Sequence, residues 1–195
     1  MDQYNGNSMI AMKGKNCVAI ATDTRLSTQL MTVDCNFQRV FKVNERCLMG
    51  VSGLATDCQT FNSLMKFKMN LYTLKEGRDM KASTFTNLVA TSLYEKRFGP
   101  YFVSPVVAGL DKISDTEYEP VVCTYDSIGC ADKGGNFQVS GTGTELLYGV
   151  AETFWKPEMG PEELYETISN CLLSALDRDS LSGWGAYVYI LTPEQ

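Results

Sequence analysis

The sequence contains no histidine among its 195 residues. Without an imidazole, the chain cannot by itself form a Ser-His-Asp triad, a Cys-His dyad or a zinc site with histidine ligands. Most ordinary hydrolases depend on one of these arrangements. Their absence means that any catalysis by this chain would need a different proton acceptor.

Long apolar runs are also missing, and the basic residues are scattered. No segment is long and apolar enough to span a bilayer, and the N-terminus lacks the pattern of a signal peptide. The formal net charge is -6, and the lysines and arginines do not gather into a basic face. We therefore expect neither a membrane nor a nucleic acid as partner. The sequence has no Asn-x-Ser/Thr acceptor, which favours the cytoplasm and nucleus as its location.

Paired cysteine motifs are absent as well. The seven cysteines are an odd number, and no two of them form a Cys-x-x-Cys pair. This pattern favours reduced thiols, buried as small hydrophobic groups, over a disulfide framework or a zinc site. The sequence therefore predicts no bound metal and no cofactor.

The composition is that of a globular protein, with 44% hydrophobic and 21% charged residues. The length fits one fairly large domain, and no linker, low-complexity segment or convincing internal repeat divides the chain. We therefore predict a single domain over residues 1–195.

A β-hairpin is predicted near the N-terminus. Two apolar runs, residues 9–12 and 17–21, flank a polar segment that contains glycine and can reverse the chain. The second run leads to Asp23 and Arg25, so a buried strand delivers a carboxylate and a guanidinium to its end. Such a pair could serve chemistry or could close the strand as a simple ion pair, and the local pattern favours the ion pair.

The rest of the chain alternates between groups of strands and pairs of helices. Apolar spacing and the positions of glycine and proline predict four helices: one ends with a C-cap at Gly77, a second ends at Gly99-Pro100, and two more start at residues 141 and 160. The same signals predict extended chain over 29–43 and strands over 47–53, 103–110, 119–125, 128–131, 137–140 and 184–191. Two antiparallel sheets between two helix layers would bury every apolar face. The predicted fold class is α+β, a four-layer αββα sandwich.

Two further segments are candidate sites that have ordinary structural alternatives. Residues 141–144 read Gly-Thr-Gly-Thr at a helix start and could cradle a phosphate, but no third glycine or lysine completes a nucleotide-binding motif. A plain helix N-cap is therefore favoured. The Asp177-Arg178-Asp179 triplet could serve acid/base chemistry, although such a cluster more often forms an ion pair that stiffens a loop.

Six motifs occur in a definite order along the chain: Gly6 before a strand, and the segments 21–25 (ATDTR), 50–53 (GVSG), 94–101 (YEKRFGPY), 140–143 (SGTG) and 177–183 (DRDSLSG). Together they resemble the β-type subunits of the 20S proteasome, and most closely the β3 type. The resemblance covers essentially the whole chain. It implies the αββα sandwich of the N-terminal nucleophile hydrolases, in agreement with the layers predicted above.

The resemblance also implies roles for individual residues. In active members of this family, self-cleavage after a glycine exposes a threonine, whose hydroxyl attacks the peptide while its own α-amine acts as base. This mechanism uses no histidine. The glycine matches Gly6, and the other positions are the nucleophile at Asn7, the two aspartates at Asp23 and Asp179, the lysine at Arg39, and the two serines at Thr142 and Ser182.

Two of these positions depart from the catalytic pattern. The carboxamide of Asn7 cannot attack a carbonyl as an alkoxide does, and Arg39 keeps its proton at any working pH. The resemblance therefore implies a degenerate site without catalytic residues. We expect Asp23 to pair with Arg39 in a buried polar network that joins the hairpin to the last loop.

The predicted function is that of a non-catalytic structural β subunit, which supports β-ring assembly and shapes the substrate pocket of a catalytic neighbour in ubiquitin-dependent protein degradation. The resemblance implies a heteroheptameric β ring with β2-type and β4-type neighbours, contacts with the α ring and the opposite β ring, and unfolded polypeptide substrates only indirectly. An alternative is an active peptidase using Ser8, whose side chain is expected on the opposite face from Asn7. A third interpretation is a free-standing binding protein, which would be a monomer.

Overall fold

Two antiparallel β-sheets lie face to face at the centre of the computed structural model, which describes residues 4–193. The strands are β1 (Ser8–Lys13), β2 (Val18–Asp23), β3 (Leu26–Thr28), β4 (Met31–Asp34), β5 (Val40–Asn44), β6 (Cys47–Gly53), β7 (Val103–Lys112), β8 (Tyr118–Tyr125), β9 (Ala131–Asp132), β10 (Phe137–Gly141) and β11 (Ala186–Leu191). The helices are α1 (Ala55–Glu76), α2 (Ala82–Tyr94), α3 (Thr144–Phe154) and α4 (Pro161–Leu176). One sheet has the strand order β10-β1-β2-β11, the other has the order β5-β6-β7-β8-β9, and β3 and β4 form a separate hairpin.

Three hydrophobic cores separate four layers. Helices α1 and α2 cover the outer face of the five-stranded sheet, and α3 and α4 cover the outer face of the four-stranded sheet. The third core lies between the two sheets and contains Met9 and Ile20 from one sheet and Val106 and Ala108 from the other. The predicted αββα sandwich is therefore confirmed.

Residues 9–12 of strand β1 are all apolar because both faces of the strand are covered. Met9 and Ala11 point into the core between the sheets, whereas Ile10 and Met12 point into the core beneath α3 and α4. A strand with one face in water would alternate between apolar and polar residues. The unbroken apolar run therefore indicates that this strand lies between two covered faces.

The helix boundaries follow the local signals in most places. The N–H of Gly77 (φ 66°) donates to the Thr73 carbonyl at 2.9 Å, which confirms the predicted C-cap of α1. Helix α4 begins at Pro161 and carries Glu162 and Glu163 in its first turn. Helix α2 ends at Tyr94 and is followed by turns, so it is shorter than the Gly99-Pro100 signal predicted.

Three predicted strands differ from the structure. The extended chain predicted over residues 29–43 contains strand β4, which pairs with the preceding β3 in a hairpin, and a separate strand that begins at Val40. The strand predicted over 128–131 is reduced to the two residues of β9. The last strand begins at Ala186, because Trp184 has a positive φ of 62° that breaks the extended conformation.

No helix in the described part of the chain combines the length and hydropathy that crossing a bilayer requires. Within the same residues, no group of three or more potential metal-ligating side chains comes together.

Five of the seven cysteines are buried, as predicted, but Cys35 and Cys130 are exposed. Burial raises the pKa of Cys17 and Cys171 to about 11 and that of Cys58 to about 12. Because the thiolate is the reactive form, these groups stay unreactive at neutral pH.

We expect a thiol-specific chromogenic reagent to label two cysteines of the isolated folded chain rapidly, and all seven only after unfolding. Changing Cys35 or Cys130 to serine should remove one fast-reacting thiol each. A third fast thiol in the folded chain would contradict the burial described here.

Candidate functional site

The predicted site residues meet at one end of the four-stranded sheet because of its strand register. Ser8 at the start of β1 lies opposite Gly141 at the end of β10, and Met9 pairs with Thr22. Asp23 at the end of β2 lies opposite Ala186 at the start of β11. Segments far apart in sequence are thereby brought together at one end of the sheet, where the loop after α4 also lies.

Asp23 and Arg39 form a fully buried ion pair at this end of the sheet. Nη1 of Arg39 lies 3.8 Å from Oδ1 of Asp23, which confirms the predicted pairing. The Asp23 carboxylate also accepts hydrogen bonds from the backbone N–H groups of Ser8 and Gly183, each at 3.0 Å. Burial raises the pKa of the Asp23 carboxyl, and the Arg39 charge and the two N–H groups oppose that shift. The carboxylate thus links β1, β2 and the last loop.

Arg25 is not the partner of Asp23. Its guanidinium donates to the carbonyls of Leu181 (2.6 Å) and Leu30 (3.0 Å) and to the Thr32 hydroxyl (2.9 Å). The ion pair between Asp23 and Arg25 that the strand end suggested is therefore wrong. Arg25 instead joins the last loop to the hairpin formed by β3 and β4.

A second cluster surrounds Asp179. Its Oδ2 accepts hydrogen bonds from the hydroxyls of Ser182 (2.6 Å), Thr142 (2.7 Å) and Ser8 (3.3 Å), and its Oδ1 accepts one from the Leu181 N–H (3.1 Å). The hydroxyls of Ser8 and Ser182 are 2.8 Å apart. The structure therefore brings together three residues that the sequence predicted, and adds Ser8.

Ser8 connects the two clusters, and this bridging role was not predicted from the sequence. Its backbone N–H reaches Asp23 and its side chain reaches Asp179. The sequence indicates Ser8 only as an alternative nucleophile, and its role as a bridge carries no local signal because its partners lie 15 and 171 residues away. The Asp177-Arg178-Asp179 ion cluster is not formed, since Asp179 faces hydroxyls and the salt bridges among residues 4–193 involve neither Asp177 nor Arg178.

Asn7 is buried, with its backbone held by Thr142. Its carbonyl oxygen accepts hydrogen bonds from both the N–H (2.7 Å) and the hydroxyl (3.0 Å) of Thr142. Its side chain lines a cavity of about 380 Å³ together with Ser52, Ser104 and Ser140, and its Nδ2 has no hydrogen-bond partner. Ser8 contacts the Asp179 cluster instead, so the two side chains face different surroundings, as predicted.

The residues before Asn7 are built into the fold. The carbonyl of Tyr4 accepts a hydrogen bond from the Gln29 N–H (2.8 Å). Asn5 donates from Nδ2 to the Ser27 carbonyl (2.6 Å) and accepts at Oδ1 from the Ala55 N–H (3.0 Å), at the start of α1. This segment thus holds the hairpin of β3 and β4 against α1.

Residues 141–144 act as a helix start. Gly143 is the N-cap of α3, and its carbonyl accepts the Leu147 N–H at 2.9 Å. A side chain at Gly143 would collide with the Ser8 hydroxyl, so the space beside this glycine is already filled. The helix-cap interpretation therefore fits the structure, and the phosphate cradle does not.

Known proteins similar to this chain carry a consistent description. A family model described as "Proteasome subunit" matches residues 3–191. Proteasome subunit beta type-3 of Picea mariana is 52% identical over 193 residues, covering 99% of this chain and 93% of that protein. Its counterpart in Oryza sativa subsp. japonica is 53% identical with the same coverage. The protein of that name in Saccharomyces cerevisiae is 49% identical over 191 residues, covering 98% and 91% of the two chains.

Proposed function

The chain belongs to the proteasome subunit family, and we propose that it acts in the core particle as a β3-type structural subunit without peptidase activity of its own. It assembles with other proteasome subunits and takes part in protein degradation through them. Its contribution is structural, because it provides a folded surface that contacts other subunits, while catalytic neighbours cleave the substrate.

The observation that carries this proposal is that Asn7, a buried carboxamide, stands at the position that the family resemblance assigns to the nucleophile. A carboxamide is a poor nucleophile, and Asn7 is buried, with 1% of its surface exposed. The preceding Asn5 and Gly6 are also buried, so they form part of the fold. An N-terminal nucleophile would require their removal, and with them the hydrogen bonds that reach Ser27 and Ala55.

The residues at the other positions of the degenerate site support the same conclusion. Arg39 is permanently charged, and it donates from Nη2 to the Arg25 carbonyl at 2.7 Å. It therefore serves as a fixed cation in the network and does not exchange protons. Asp23, Asp179, Thr142 and Ser182 are all engaged in hydrogen bonds that join β1 to the last loop.

The proposal extends to particular neighbours and to location. It includes a heteroheptameric β ring with β2-type and β4-type subunits on either side, contacts with the α ring and the opposite β ring, and a part in the substrate pocket wall of the β2-type neighbour. It also includes residence in the cytoplasm and nucleus. Cross-linking of assembled particles followed by peptide mass spectrometry would test each neighbour separately.

The intact mass of the chain tests its lack of activity. We expect the chain from purified particles to retain residues 2–6, and to gain no adduct from an electrophile that traps N-terminal threonine or serine. Catalytic subunits of the same particles serve as the positive control, because they should gain the adduct. A chain trimmed to Asn7 or Ser8 and carrying the adduct would show that it is a peptidase.

A further inference from the structure

Asn5 is followed by glycine, a pair with its own chemistry. Because glycine has no Cβ, its backbone nitrogen reaches the preceding side chain easily in flexible chain. Attack of the Gly6 nitrogen on Cγ of Asn5 forms a five-membered imide and releases ammonia. Water then opens the ring to aspartate or isoaspartate. The net change consumes one water and releases one ammonia, without any oxidant or reductant.

The fold holds Asn5 away from this reaction. Both polar atoms of its side chain are bonded, Nδ2 to the Ser27 carbonyl at 2.6 Å and Oδ1 to the Ala55 N–H at 3.0 Å. Only 7% of the residue is exposed, which limits the water available to open the ring. Gly6 is packed so closely on Leu181 that a Cβ would lie 2.8 Å from the Leu181 carbonyl oxygen. Turning the side chain toward the Gly6 nitrogen would break both hydrogen bonds.

The products do not fit the place that Asn5 occupies. A carboxylate can still accept the Ala55 N–H at the positive end of α1, which is favourable. Its other oxygen, however, would face the Ser27 carbonyl without a proton to donate, and a buried charge would lack a partner there. Isoaspartate would in addition lengthen the backbone and displace Tyr4, whose carbonyl is bonded to Gln29.

We infer that Asn5 is a deamidation site protected by the fold, so that chains left unfolded, or with residues 4–7 detached, are converted there and then fold less well. The inference rests on the Asn5-Gly6 pair and on the contacts of these two residues. It holds whether or not the chain has the function proposed above.

The first test compares the full chain as purified with the same chain unfolded in urea, both held in one mildly alkaline buffer. Peptide mass spectrometry measures conversion at Asn5 with time. We expect conversion to be at least about tenfold slower in the folded chain, because it must await local opening. In urea, Gly6→Ala should slow conversion at Asn5. Equal rates in the two states, or no effect of Gly6→Ala, would overturn the inference.

The second test uses a matched pair of amide-to-acid substitutions. Asn5→Asp should lower Tm by about 4–8 °C, since a buried carbonyl loses its donor. Asn36→Asp is the control, because Asn36 is exposed and its Oδ1 already acts as the acceptor of the Tyr187 hydroxyl at 2.9 Å. If the two variants had the same Tm, the proposed incompatibility of the product would be refuted.

Discussion

Replacing Asp23 with asparagine is expected to lower the free energy of unfolding by about 3–5 kcal/mol, because it leaves the buried Arg39 without its counter-charge. The carboxylate also accepts two backbone N–H groups. An amide in its place would point its own donor at one of them. We therefore expect both a less stable chain and a smaller fraction of it recovered in assembled particles.

A double-mutant cycle separates the ion pair from the hydrogen bonds. Asp23→Asn combined with Arg39→Met should lose less stability than the sum of the single variants, because the second change removes the unpaired charge. Urea unfolding gives the free energies, and gradient sedimentation gives the assembled fraction. Unchanged assembly in Asp23→Asn would contradict a structural role for this pair.

Changing Gly141 to alanine is expected to cost about 3–5 kcal/mol, from two sources that act together. Its φ of 100° lies where residues with a side chain are strained. The added Cβ would also collide with the backbone carbonyl group of Asn7, whose carbon would lie 2.9 Å away. The side-chain Oδ1 of Asn7 would lie 3.0 Å from the same Cβ. These atoms are held in place by Thr142, so the strand end would have to separate from Asn7.

Gly77 provides the matched control for this substitution. It also has a positive φ, of 66°, but apart from the adjoining residues of the chain no heavy atom of the described residues lies within 4 Å of a Cβ built there. Gly77→Ala should therefore cost only the backbone strain, about 1 kcal/mol. Similar losses in the two variants, measured by urea unfolding, would mean that the contact with Asn7 carries no weight.

The sandwich could be predicted because its signals are local. The unbroken apolar run of β1, the C-cap at Gly77 and the proline at the start of α4 each depend on residues close together in sequence. The pairing of Asp23 with Arg39 was predicted from the family resemblance, whereas strand composition alone suggested Arg25. Nothing near Asp23 in the sequence distinguishes two arginines that both follow it.

Contacts set by tertiary structure could not be predicted in this way. Ser8 bridges Asp23 and Asp179 at the end of the four-stranded sheet, and Asn5 reaches Ser27 in the separate hairpin and Ala55 at the start of α1. A short polar stretch before a strand has no periodicity to report such contacts. The sequence before β1 carries no signal of burial, and only the packed structure shows that Asn5, Gly6 and Asn7 are buried.

The position of β1 between two cores has a consequence for how the chain opens. Its side chains enter both cores alternately, and its backbone is bonded to β2 on one side and β10 on the other. A local fluctuation cannot release this strand without disrupting two cores and two ladders at once. We therefore expect its amide hydrogens to exchange with solvent only when the domain unfolds as a whole, which hydrogen-exchange mass spectrometry would measure. The strand that follows Asn7 is thus among the last parts of the chain to open.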